Sequence, residues 1–173
     1  MAPEQPLPAQ PFLRCAGDVV ARFGTPRLRT VQLLLPVQNL APRERGPVPS
    51  LDTAGWFADR DPGSRTPVRV TVDSGRVPSV PAAAPSIHTW LRSLDQEVFA
   101  VDSHPSTDHD PLAAAPPLDD TFWSGPPRHR ASVTGALAEW SLDALGWLAG
   151  LLAEGLARHG VTTPVVLTAS EAG

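Results

Sequence analysis

Helical patterning is most sustained between Ser132 and His159. At about 100° per residue, Leu137, Trp140, Ala144, Trp147, Leu148, Leu151 and Leu152 share one broad face, while Glu139, Asp143 and Glu154 fall on the other. The spacing predicts one long helix over 132–159, capped by Ser132 or Thr134, with Arg158 and His159 suiting its negative end and Gly160 as its stop. A strand from Pro164 to Thr168 follows after a short loop. Between Asp143 and Glu154 the uncharged run is far shorter than the roughly 20 apolar residues a bilayer requires, so the helix reads as a core helix. Gly146 and Gly150 lie on its acidic side, where each costs up to about 1 kcal/mol relative to Ala. A close-packing neighbour is one explanation, and a glycine drift from GC-rich coding is the simpler one.

Upstream, residues 2–11 carry four prolines and read as an extended, mobile arm. Phe12, Cys15, Ala16, Val19, Val20 and Phe23 then follow helical spacing until Gly24 and Pro26, which predicts a short helix with Cys15 buried on its apolar face. Thr30 to Val37 reads as a strand whose Pro36 belongs at a sheet edge. From Asn39 to Pro67 the chain is polar and proline-rich, with one apolar knot at Trp56-Phe57 that pins the loop to the core. The cleanest period of two follows, with Val68, Val70 and Val72 inward and Arg69, Thr71 and Asp73 outward. After a turn at Asp73-Ser-Gly, the stretch Val80 to Pro85 reads as a spacer, Ser86 to Gln96 as a short helix, and Val98 to Val101 as a strand.

Helices and strands that mix without alternating predict an α+β fold: a small mixed sheet packed by the long helix and two shorter ones, with long proline-rich loops. A length of 173 residues suits one domain, 12–173, behind the arm at 1–11. All 14 basic residues are Arg, Tyr is absent and Pro reaches 21, the bias of GC-rich coding and of a bacterial source. A net charge of -4 gives no electrostatic footprint for nucleic acid or an anionic membrane surface. With one cysteine, neither an intrachain disulfide nor a multi-cysteine zinc site can form. The N-terminal residues lack the basic and apolar regions of a secretory signal, which gives a cytoplasmic expectation.

Two local groupings could carry chemistry. The loop Asp102 to Asp110 holds His104, Asp108 and His109, whose imidazole nitrogens and carboxylate oxygens suit zinc, manganese or iron, with His129, Glu139 or Asp143 as a further ligand. No spacing there matches a strong metal signature, and the same residues are ordinary turn formers. The second grouping is Trp123, Arg128, Arg130 and Ser132, which feeds the expected start of the long helix. Free N–H groups and the dipole there would favour an anion, with the arginines as forked donors and Trp123 as a wall. The plainer alternative is that Trp123 seals the core while the arginines face water or pair with Asp119 and Asp120.

Absences narrow the field. Without any Lys, P-loop, Schiff-base and lysine-dependent kinase chemistry are excluded, and no nucleophile elbow or dinucleotide fingerprint occurs. Two function classes remain. The first is a non-catalytic binding or accessory protein that recognises a partner protein or a small anionic ligand through its proline-rich loops. The second is a metal-dependent hydrolase built on the loop at 102–110. The sheet edge near Pro36 is where a homodimer would pair.

Overall fold

A computed structural model of the protein describes residues 7–25, 27–40, 47–58, 62–102 and 129–172. Its frame is an antiparallel five-stranded sheet with β1 (Thr30–Leu35), β2 (Thr66–Asp73), β3 (Phe99–Val101), β4 (Arg130–Leu137) and β5 (Val165–Glu171). Their spatial order is β1-β5-β2-β4-β3, so β1 is an edge strand and Pro36 ends it, as its missing N–H requires. Three α-helices accompany the sheet among the described residues: α1 (Ala9–Ala21), α2 (Ser79–Ser93) and α3 (Leu142–Arg158). The fold is α+β.

Alternation in β2 decides which side of the sheet is the core. Val70 stands opposite Ala169 of β5 and Val133 of β4, and Val72 opposite Leu167 and Ala131. These positions join Leu145, Leu148 and Leu152 of α3 in one apolar cluster. The alternate positions form a polar face held by cross-strand pairs: Thr71 and Ser132 hydroxyls 2.8 Å apart, and Gln32 Nε2 donating to Thr168 Oγ1 at 3.2 Å.

The expected helix over 132–159 is two elements. Residues 130–137 form β4, which pairs with β2 over its whole length and with β3 at its far end. Pairing on both sides outweighs the helical pattern, because Ala131, Val133, Gly135 and Leu137 also satisfy a period of two. The helix begins at Leu142, where Ser141, rather than Ser132 or Thr134, is the cap, accepting from Ala144 N–H at 3.1 Å. Its end is as expected, with Gly160 at φ +83° and Val161 N–H donating to Leu156 O.

Two shorter helices also differ from expectation. α2 includes the stretch expected to be a spacer, since Pro81 lies in the first turn, where no N–H is needed, and three alanines continue the helix to Pro85. α1 begins at Ala9, and Leu7 before it belongs to the core, so residues 7–11 are part of the fold rather than of an arm. Its buried positions are Ala9, Gln10 and Leu13, while Phe12 and Phe23 are 65% and 89% exposed and Cys15 is also exposed. The bulky stripe faces outward because the other side of α1 packs too closely on α3 to admit it. A Cβ on Gly146 would lie 2.5 Å from Gln10 Cα, and one on Gly17 would lie 2.8 Å from Leu142 Cδ1. Close packing, not coding drift, accounts for Gly146.

No described helix is long and apolar enough to cross a membrane.

Candidate binding cleft

The residues singled out from sequence do not converge where the structure describes them. His104, Asp108 and His109 lie outside the described residues, as do Trp123 and Arg128. Among the described residues, no group of three or more His, Cys, Asp or Glu side chains is placed to hold a metal ion. Arg130 and Ser132 sit in β4, ten or more residues before the helix N-terminus that was to strengthen an anion site. Arg130 Nε instead donates to Asp73 Oδ2 at 2.9 Å, and Ser132 pairs with Thr71. Glu139 and Asp143, expected one turn apart on one helix, are separated by the cap: Ser141 donates to Glu139, and Asp143 pairs with Arg14.

A cleft of about 360 Å³ opens instead between α1, the Pro49–Phe57 run of 3-10 turns and α3. Its floor is α3 at Gly146, Trp147 and Gly150, and the start of α1 supplies one wall through Pro8, Gln10 and Pro11. Thr53 and Trp56 from the 3-10 run form the other. That volume falls within the roughly 300 to 1,000 Å³ of ordinary ligand clefts.

Two aromatic contacts hold the run in place. Phe57 is buried edge-on against Trp147 with ring centroids 6.4 Å apart, and Trp147 Nε1 donates to Ser50 O at 2.7 Å. Phe57 is thus the anchor expected of the Trp-Phe knot. Its neighbour Trp56 remains exposed, lining the cleft with the Arg14 guanidinium 5.1 Å from its ring centre.

Comparison with protein-family models, curated proteins and solved structures gave no match.

Beneath the cleft lies Glu154, only 8% exposed although it falls on the expected acidic face of α3. Its Oε1 accepts from Ser50 Oγ at 2.8 Å and its Oε2 from Ser50 N–H at 3.4 Å, so it closes the N-terminal turn of the 3-10 run. Burial pushes its carboxyl above the usual range, against the opposing pull of the Ser50 hydrogen bonds and the charge of Arg158. At the cleft mouth Arg14 Nη2 meets Asp143 Oδ1 at 2.7 Å. That hydrogen bond and its charge raise the guanidinium further, so Arg14 is charged and locally neutralised.

Gln10 is different. It lines the cleft and is 8% exposed, yet its Nε2 is buried without a hydrogen-bond partner. Leaving such a donor unpaired costs about 1 to 3 kcal/mol. Sequence reading missed this residue because it fell in the proline-rich arm. The signal available was the glycine pair at 146 and 150, one turn apart on α3, which marks where α1 and the 3-10 run approach the helix.

Proposed function

We propose that the protein is a non-catalytic binding protein that takes up a segment of a partner protein in the cleft between α1, residues 49–57 and α3. The observation that carries this reading is an open cleft of about 360 Å³ walled by the exposed Trp56 indole and the rings of Pro8 and Pro11. The alternative of a small anion is weaker at this place, because Asp143 already balances the charge of Arg14.

The test follows the indole N–H signals of Trp56 and Trp147 by NMR while pools of N-acetylated tripeptide amides are added. Binding in the cleft shifts these two signals selectively, and Trp56→Ala, at an exposed position, weakens the Trp147 response while leaving the fold intact. Pools that leave both signals unmoved at every composition would sink the reading.

A further inference from the structure

We infer that the protein forms a two-fold homodimer in which β1 pairs antiparallel with β1 of a second copy and the apolar stripe of α1 closes over the joint. The placement of α1 leads to this. A Cβ on Gly155 would meet Trp90 of α2, and one on Gly146 would meet Gln10 of α1, both at 2.5 Å. The two glycines are 9 residues apart, two and a half helical turns, so α2 and α1 flank α3 on opposite sides. α2 also packs on β3 and β4, which puts α1 at the β1 end of the sheet. Gln10, Pro11 and Arg14 turn toward the cleft, whose floor at Trp147 and Gly150 lies on the side of α3 away from the sheet. Phe12, Val19 and Phe23 occupy the other side of α1, toward the level of the sheet, yet all three are more exposed than buried. The stripe overhangs the sheet edge with no described strand beneath it.

β1 itself is an unguarded edge. Among the described residues no strand pairs with its outer side, and its register with β5 runs from Thr30 to Leu35 without a bulge. None of its residues is charged, and charge is a common means by which an edge repels another strand. A second copy fits this edge. Antiparallel strands set residues of the same face opposite one another, so a two-fold axis on Leu33 places Val31 against Leu35 of the second copy on the core face. Gln32 then stands against Leu34 of the second copy on the other face. This register keeps Arg29 and Pro36 out of the paired stretch. The same axis brings the two α1 stripes toward each other above the joint, whereas a strand from another protein brings no second stripe. Paired strands this short bury little side-chain area. The phenylalanines of α1, each burying roughly 150 to 250 Å² when covered, bring the interface toward the roughly 1,200 Å² of a stable one.

The experiment is sedimentation velocity of the full chain over a dilution series, with Val19→Glu and Phe23→Glu as variants at exposed positions. The expected result is a concentration-dependent dimer whose dissociation constant rises at least tenfold in each variant, with melting curves verifying that both fold. A cysteine on the two-fold axis reads the register, because opposite residues have Cα atoms about 4.5 to 5.5 Å apart, within disulfide reach. In a Cys15→Ser background, Leu33→Cys is expected to form a covalent dimer under mild oxidation. Thr30→Cys, about 20 Å from its own copy in this register, is not. A monomer at every concentration overturns the inference and leaves the edge to a strand of another protein. A dimer that neither Glu variant weakens, or that a folded Leu33→Cys fails to cross-link, uses a different surface and overturns it as well.

Discussion

Ser50 donates both its hydroxyl and its backbone N–H to the carboxylate of Glu154, at 2.8 and 3.4 Å, tying the 3-10 run to the middle of α3. Burial raises this carboxyl above its ordinary value near 4.5. A group with a raised folded-state pKa gives its full contribution to stability below the unfolded value, and loses it as pH climbs through the folded one. Stability from Glu154 is therefore greatest in acid and declines above the ordinary carboxylate range. Glu154→Gln, which can still pair with Ser50, removes that decline. Thermal melts from about pH 4 to pH 8 should show the variant matching or exceeding the parent at neutral pH, with the difference narrowing in acid. Parallel pH profiles for the two proteins would contradict the assignment.

The two glycines facing the cleft are not equivalent. At Gly146 a new Cβ meets the Gln10 backbone, with Ala9 O and Gln10 N both 2.9 Å away, and backbone cannot yield as a side chain can. Gly146→Ala is expected to destabilise by about 1 to 3 kcal/mol through overpacking. At Gly150 the nearest atom is Ser50 Oγ at 3.3 Å, and the gain in helix propensity of up to about 1 kcal/mol offsets the tight contact. Denaturant titration of both variants should therefore place Gly146→Ala clearly below Gly150→Ala.

Phe57 is the apolar anchor of the 3-10 run. Phe57→Ala deletes the edge-on contact with Trp147, and core truncations of this kind cost about 3 to 5 kcal/mol. Loss of the anchor also admits water to Trp147, so its emission should shift to longer wavelength in the folded variant. An unchanged midpoint and unchanged emission would show that the run is held by something else.

Asp73 joins the end of β2 to the start of β4. Its Oδ1 accepts from Gly75 N–H at 2.8 Å and its Oδ2 from Arg130 Nε at 2.9 Å. Asp73→Ala leaves both donors without this acceptor and is expected to cost about 1 to 3 kcal/mol. Asp73→Asn, which keeps the turn contact and loses the charge, should fall between parent and alanine in equilibrium unfolding. Equal stability of all three proteins would assign the pair no structural role.

Parts of this fold were legible because local signal and tertiary demand coincide. Val68, Val70 and Val72 alternate and are buried, Pro36 ends an edge strand, and Gly160 takes the left-handed stop. The boundary near 132 was not legible, because residues 131–137 fit both periods and pairing with β2 and β3 decides between them. The outward stripe of α1 was misread for a related reason. Apolar residues ordinarily mark the packed face, but here the packed face needs small ones, and Gly17 against Leu142 shows how little room there is. The cleft itself draws on residues about 140 positions apart, Gln10 and Gly150, which no local window brings together.

β5 lies between β1 and β2, pairing Thr30 with Ser170 on one side and Val70 with Ala169 on the other. During synthesis on the ribosome, the sheet therefore lacks an inner member until residues 165–171 have emerged. Before then β1 and β2 have no shared partner, and the apolar positions of β1 wait more than a hundred residues for the strand that covers their backbone. Contacts of such separation slow folding and lengthen the exposure of unpaired edges. The nascent chain is thus the state most in need of protection, and a single break before Val165 would leave β1 stranded from the rest of the sheet.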